Sequence, residues 1–188
     1  MQKLLLASHS PRRKELMERL RVPFEVMGSD IEEKIDHSQS PDEIVQSLAF
    51  QKASSIAKQY PECYTIGADT IVVYENQILG KPKDEQHAFQ MLHSLSGKKH
   101  KVLTGVSIHY LEKHVNFYEE TEVTFWELSK EEISSYIQSK EPFDKAGAYG
   151  IQGFGSLFVK EIKGDYFNVV GLPIASVYRQ LKNLHFPF

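Results

Sequence analysis

Cysteine is nearly missing from this chain of 188 residues, and Cys63 is the single example. One thiol excludes an internal disulfide or a cysteine-built zinc cluster, and it suits a reducing compartment. No stretch approaches the roughly 20 apolar residues of a membrane span, and the opening MQKLLLAS is too short for a signal-peptide core. No membrane role is expected, and a cytoplasmic location is. Excess positive charge is absent too: the formal net charge is -3, which speaks against coating nucleic acid by charge neutralisation. There is no Gly-Lys-Ser/Thr phosphate loop, no helical histidine pair of the metal-binding kind, and no repeat, low-complexity tract or linker.

The composition, 41% hydrophobic and 25% charged, is that of an ordinary globular protein. The length suits one domain, 1–188, with two lobes. Leu4 to Ala7 reads as a buried strand, and Ser10-Pro11 starts a helix carrying Leu16, Met17 and Leu20. Val22 to Val26 reads as a further strand. Ser40-Pro41-Asp42-Glu43 is a capping box that opens a helix to about Tyr60. Thr65 to Tyr74 is a β-branched strand with Gln77 to Leu79 returning beside it, and Asp84 caps a helix closed by Gly97. Alternation from Lys101 to Glu127 predicts an antiparallel pair, and Ser129 opens another helix with a second capping box. Leu157 to Ile162 and Tyr166 to Val170 read as two strands, and Pro173 starts a final helix. The class is α/β: a mixed twisted sheet flanked by helices.

Several residues break the local pattern. Arg12 and Arg13 follow Ser10-Pro11, although the helix start is the positive end of the macrodipole and disfavours cations there. A bound anion reverses that sign. Backbone amides, the hydroxyls of Ser8 and Ser10 and two guanidinium forks would make a phosphate seat; two solvated arginines are the plainer reading. Lys52 falls inside the apolar arc drawn by Ile44, Val45, Leu48, Ala49 and Ile56, so it either snorkels or points its ammonium into a site. Lys81, fixed against Pro82, is ambiguous in the same way. Asp69 sits in the strand IGADTIVV, where a carboxylate is costly unless it meets a cation, a metal or several donors. It reads as a metal ligand, a general base or half of a structural ion pair. Glu32 and Glu33 offer further carboxylates on an early loop, or a solvated acidic turn. The stretch DKAGAYGIQG lets backbone approach a flat ligand, and Gln152 has the amide donor and acceptor to read a base edge; a flexible turn is the bland alternative. Cations for an anion, carboxylates and a base-reading loop together describe a nucleoside triphosphate with a divalent metal.

The motifs SHSPRRKEL (8–16), GADT (67–70), GKP (80–82), KAGAYGIQG (145–153) and GLP (171–173), in that order, resemble those of the Maf nucleotide pyrophosphatases. The resemblance implies a fold like that of inosine triphosphate pyrophosphatases, with two lobes around a central cleft, and hydrolysis of a nucleoside triphosphate to monophosphate and pyrophosphate. It implies that Arg12, Thr70 and Gln152 belong to the branch acting on dTTP and UTP. Ser8, Arg12, Arg13, Lys52 and Lys81 would hold the triphosphate, and Glu33 and Asp69 would hold Mg²⁺ or Mn²⁺. Asp69 would also serve as proton acceptor, with Glu32 and Lys145 in support. A homodimer without stable nucleic-acid binding is implied as well. The alternative class is a nucleotide-binding regulator of septum formation without significant turnover. Met17 and His87 depart from the commoner leucine and glutamate, at positions with no assigned chemistry.

Overall fold

The computed structural model describes residues 3–188. Leu4–Ala7 (β1), buried along its whole length, turns sharply into α1, Pro11–Glu18. Pro11 takes the first helical position, where a missing N–H costs nothing, and the Ser10 hydroxyl accepts from the Arg13 amide. The next strand is only Glu25–Val26 (β2), shorter than the sequence suggests. Pro23 has no amide to offer a strand partner, so pairing begins beyond it. Then α2, Pro41–Ala57, opens on its capping box with the Ser40 amide donating to Glu43 Oε2 at 2.9 Å.

The long strand Tyr64–Tyr74 (β3) returns through a tight turn into Gln77–Leu79 (β4), and Asp84 caps α3, Glu85–Leu95. Lys99–Tyr110 (β5) and Lys113–Phe125 (β6) follow, then α4, Lys130–Gln138, with its own capping box at Ser129. Single 3-10 turns carry the chain to Val159–Lys163 (β7), and α5, Tyr166–Val170, and α6, Ile174–Asn183, complete it.

The sheet is mixed and flanked by helices, in the order β2-β1-β3-β5-β6-β7 with β4 also on β3. Both neighbours of β1 are parallel to it, whereas β4 and β7 run antiparallel to β3 and β6. That is the expected class. Tyr166–Val170 corrects the sequence reading: it is a helical turn, not a strand. Asp165 accepts from the Phe167 amide at 2.9 Å, as a helix cap does, and the buried Asn168 amide donates to Val102 O and Thr121 Oγ1. Those polar tethers outweigh an apolar run that propensity alone reads as extended.

Two compact units divide the chain. One comprises the residues up to Asp69, Thr104–Glu119 and Gly171–Phe188. Leu5, Ala7, Ile56 and Cys63 form one buried cluster in it, and Tyr64 stacks on Tyr110 with ring centroids 3.9 Å apart. The other, Thr70–Leu103 and Glu120–Val170, has a core in which Leu92, Leu95, Phe125, Ile133, Tyr136 and Phe158 pack together. No described helix is long and apolar enough to cross a membrane.

Candidate active site

In the first unit, β1 and β3 are parallel with Ala7 opposite Gly67. Helix α2 lies on this stretch of β3 with almost no clearance. A Cβ at Gly67 would stand 2.5 Å from the Ala53 amide nitrogen and 2.6 Å from Ala49 O, so only glycine admits the helix so closely. That approach matters because Lys52 precedes Ala53 and Asp69 follows Gly67 by two residues.

Lys52 Nζ lies 2.5 Å from Asp69 Oδ1 and 2.9 Å from Glu33 Oε1. The Lys52 and Asp69 side chains are each 15% exposed, which sets this pair apart from a screened surface one, while Glu33 is 41% exposed. The lysine inside the apolar arc and the aspartate inside the apolar strand therefore explain each other. Glu33 arrives from a loop that α2 grips directly. Gln51 Nε2 donates to Lys34 O at 2.8 Å and Gln51 Oε1 accepts from the Lys34 amide at 2.9 Å. Ser55 and Ser29 hydroxyls meet at 2.9 Å, and His9 reaches Asp30 at 3.0 Å. Glu32, one residue before Glu33, is exposed.

Arg13 folds back from α1. Its Nε donates to Gly171 O at 2.8 Å and Nη1 to Ser8 Oγ at 3.4 Å, and the Ser8 hydroxyl also accepts from the Ser10 amide. Burial pushes the Arg13 guanidinium below its ordinary pKa, opposed chiefly by the Asp69 charge, with Arg12 lowering it further and Glu33 raising it. Arginine stays protonated throughout. The start of α1 thus offers its donors more from side chains than from backbone. Pro11 has no N–H, and the Arg13 amide is taken by Ser10 Oγ. Arg12, at the second helical position, is half-buried.

The second unit holds the remaining candidates. Thr70 follows Asp69 in β3 and is half-buried; Lys81 and Gln152 are exposed. The Gly147 amide donates to Gly80 O at 3.0 Å, which ties the GKP turn to the glycine-rich stretch. Lys145 Nζ donates to Asp144 Oδ1 at 2.6 Å and Glu141 O at 2.7 Å, so its charge is engaged inside the loop. Glu141 was not legible as a site residue, yet its carboxylate is the hub. It accepts from the Phe154 amide at 2.9 Å, the Gly155 amide at 3.4 Å and the Tyr136 hydroxyl at 3.0 Å. Desolvation in turn pushes the Tyr136 phenol well above its ordinary pKa. A Cβ on Gly153 would fall within 2.6 Å of the Glu141 carboxyl carbon. This glycine is explained by the loop's own packing, before any ligand is invoked.

Two hard oxygen donors, from Glu33 and Asp69, already converge on one cation, the Lys52 ammonium. Mg²⁺ characteristically takes one or two carboxylates and completes its shell with water and phosphate oxygens, so this donor set fits it. Among the described residues no group of three or more His, Cys, Asp or Glu side chains converges, which leaves phosphate and water to supply the other ligands.

The family model described as Maf-like protein matches residues 3–184. A Bacillus cereus protein named dTTP/UTP pyrophosphatase is 60% identical over 182 residues, covering 97% of this chain and 95% of the relative. One of the same name from Bacillus cytotoxicus is 59% identical with the same coverage. Among solved structures, a HAM1 protein from Coxiella burnetii aligns with a TM-score of 0.56 over 97% of this chain and all of its own, at 14% identity. That likeness is one of fold.

Proposed function

This chain belongs to the family of Maf-like proteins, and from that premise we propose that it hydrolyses dTTP and UTP to the monophosphate and pyrophosphate. The observation that carries this reading onto particular atoms is the Asp69–Lys52–Glu33 cluster. A regulator without turnover needs cations for the phosphates but has no use for two carboxylates gathered beside them. The test is pyrophosphate release from a panel of ordinary and modified nucleoside triphosphates, with dTTP and UTP expected to turn over fastest.

In the reaction, a water oxygen bonds to the α-phosphorus, the bridging bond to the β-phosphate breaks, and pyrophosphate leaves with its electron pair. Positioning and charge neutralisation carry most of such a step. Asp69, paired with Lys52 through Oδ1, is the proton acceptor for the attacking water. Ser8, Arg12, Arg13, Lys52 and Lys81 hold the triphosphate, the guanidinium forks matching phosphate oxygens in pairs. Glu33 and Asp69 would hold Mg²⁺ or Mn²⁺, whose charge would offset that of the phosphates.

Arg12, Thr70 and Gln152 select the base. A site built of paired donors and acceptors rejects a wrong base by leaving polar groups unmatched. Glu32 and Lys145 support the two loops from which Glu33 and Gln152 project. The enzyme works in the cytoplasm on the free nucleotide pool, as a homodimer.

A further inference from the structure

The segment Gly150–Gly155 carries Gln152 at its exposed middle, and both of its ends are fastened to one carboxylate. At the far end, Glu141 Oε2 accepts from the Phe154 amide at 2.9 Å and Oε1 from the Gly155 amide at 3.4 Å. At the near end the link runs through a phenol: the Gly150 amide donates to Tyr136 Oη at 3.1 Å, and that hydroxyl donates to Glu141 Oε1 at 3.0 Å. The same residue's backbone carbonyl accepts from Lys145 Nζ at 2.7 Å, anchoring the start of the stretch. Gly153 leaves room for the carboxylate to lie directly beneath the loop. The bonds to the Glu141 carboxylate are charge-assisted, and all of these contacts except the exposed one from Phe154 are partly buried.

We propose that Glu141 is a positioning residue for base recognition, holding Gly150–Gly155 so that the Gln152 amide meets the pyrimidine edge in one orientation. The inference rests on the reading of Gln152 as a base-selecting residue. Glu141 itself touches neither base nor phosphate.

Glu141→Gln tests it, because the neutral amide keeps the shape but replaces one acceptor with a donor. Either the Phe154 amide or the Tyr136–Gly155 pair then faces an N–H₂ group. With a melting point near that of the wild type, the amides of 150–155 should exchange with deuterium faster. KM for UTP should rise about tenfold, as loss of a charge-assisted bond implies, and by more than kcat falls. Preference for UTP over CTP should drop to that of Gln152→Ala, and in a Gln152→Ala background the second change should alter preference no further.

An unchanged UTP preference, or effects of the two substitutions that multiply, would overturn the inference while leaving the functional reading intact. A wild-type chain that hydrolyses neither dTTP nor UTP would overturn the reading and this inference with it. Should Glu141→Gln not fold, Tyr136→Phe decides by the same readings. It keeps the ring against Phe154 and Phe158, with centroids 5.6 and 5.0 Å away, and deletes only the hydroxyl that joins Gly150 to Glu141.

Discussion

Lys52 reaches Asp69 across a helix–strand contact that has no room for a single methyl group, and the pair is 2.5 Å apart with both side chains 15% exposed. Removing the ammonium would leave Asp69 and Glu33 facing each other without their shared cation. Lys52→Met should cost roughly 1–3 kcal/mol of stability, below the usual penalty for a fully buried broken pair because some solvent remains. The turnover loss should be far larger, at least about 100-fold, since the triphosphate loses a counterion as well. Urea unfolding beside a kinetic assay separates the two effects; turnover within a few-fold of wild type would contradict the assignment.

Gly67→Ala should act on the same pair without touching it. The new methyl must displace α2 from β3, because the two nearest atoms it would meet are backbone. Overpacking of this kind costs about 1–3 kcal/mol. It should also draw Lys52 away from Asp69, so activity measured well below the melting point should fall. An alanine variant with full activity would show that the close approach is incidental.

His100 gives the chain an acid-sensitive core in the second unit. The side chain is buried, its Nε2 is 2.7 Å from Tyr149 Oη, and its Nδ1 has no partner among the described residues. Burial holds the imidazole down to about 4. The unfolded histidine titrates near 6.5, so below that pH the unfolded chain binds a proton that the native chain refuses. Stability from neutral His100 is therefore complete above about pH 6.5 and lost progressively as pH falls toward 4. Between pH 7.5 and 5 the loss should be about 2 kcal/mol for this group. His109, held down to about 4 by desolvation and by His114, adds in the same direction. Urea titrations at the two pH values should show the wild type losing about 2 kcal/mol more than His100→Phe; equal losses would contradict this account.

The sequence and the structure agree most closely where the determinants are local. The caps at Ser10, Ser40, Asp84 and Ser129 all form, because each needs only neighbours within one turn. Lys52 and Asp69 stood out because each breaks a periodic pattern of its own element. Their contact was not legible, since it depends on how closely Gly67 lets α2 approach β3. Tyr166–Val170 misled for a related reason: beside the local cap at Asp165, its helical turn is held by Asn168 through Val102 and Thr121, partners distant in sequence. Glu141 and Gln51 stayed hidden because they bind backbone amides and carbonyls of other segments, and such partners leave no trace in residue type.

The most direct measurement is pyrophosphate release from dTTP and UTP with Mg²⁺ or Mn²⁺, wild type beside Asp69→Asn. The asparagine keeps the size of the side chain and its contact with Lys52 but cannot accept the water's proton. The account predicts release by the wild type and a loss of about 100-fold to 10,000-fold in the variant, as removal of a general base implies, with the circular dichroism spectrum preserved. Sustained turnover by a folded Asp69→Asn protein would contradict it.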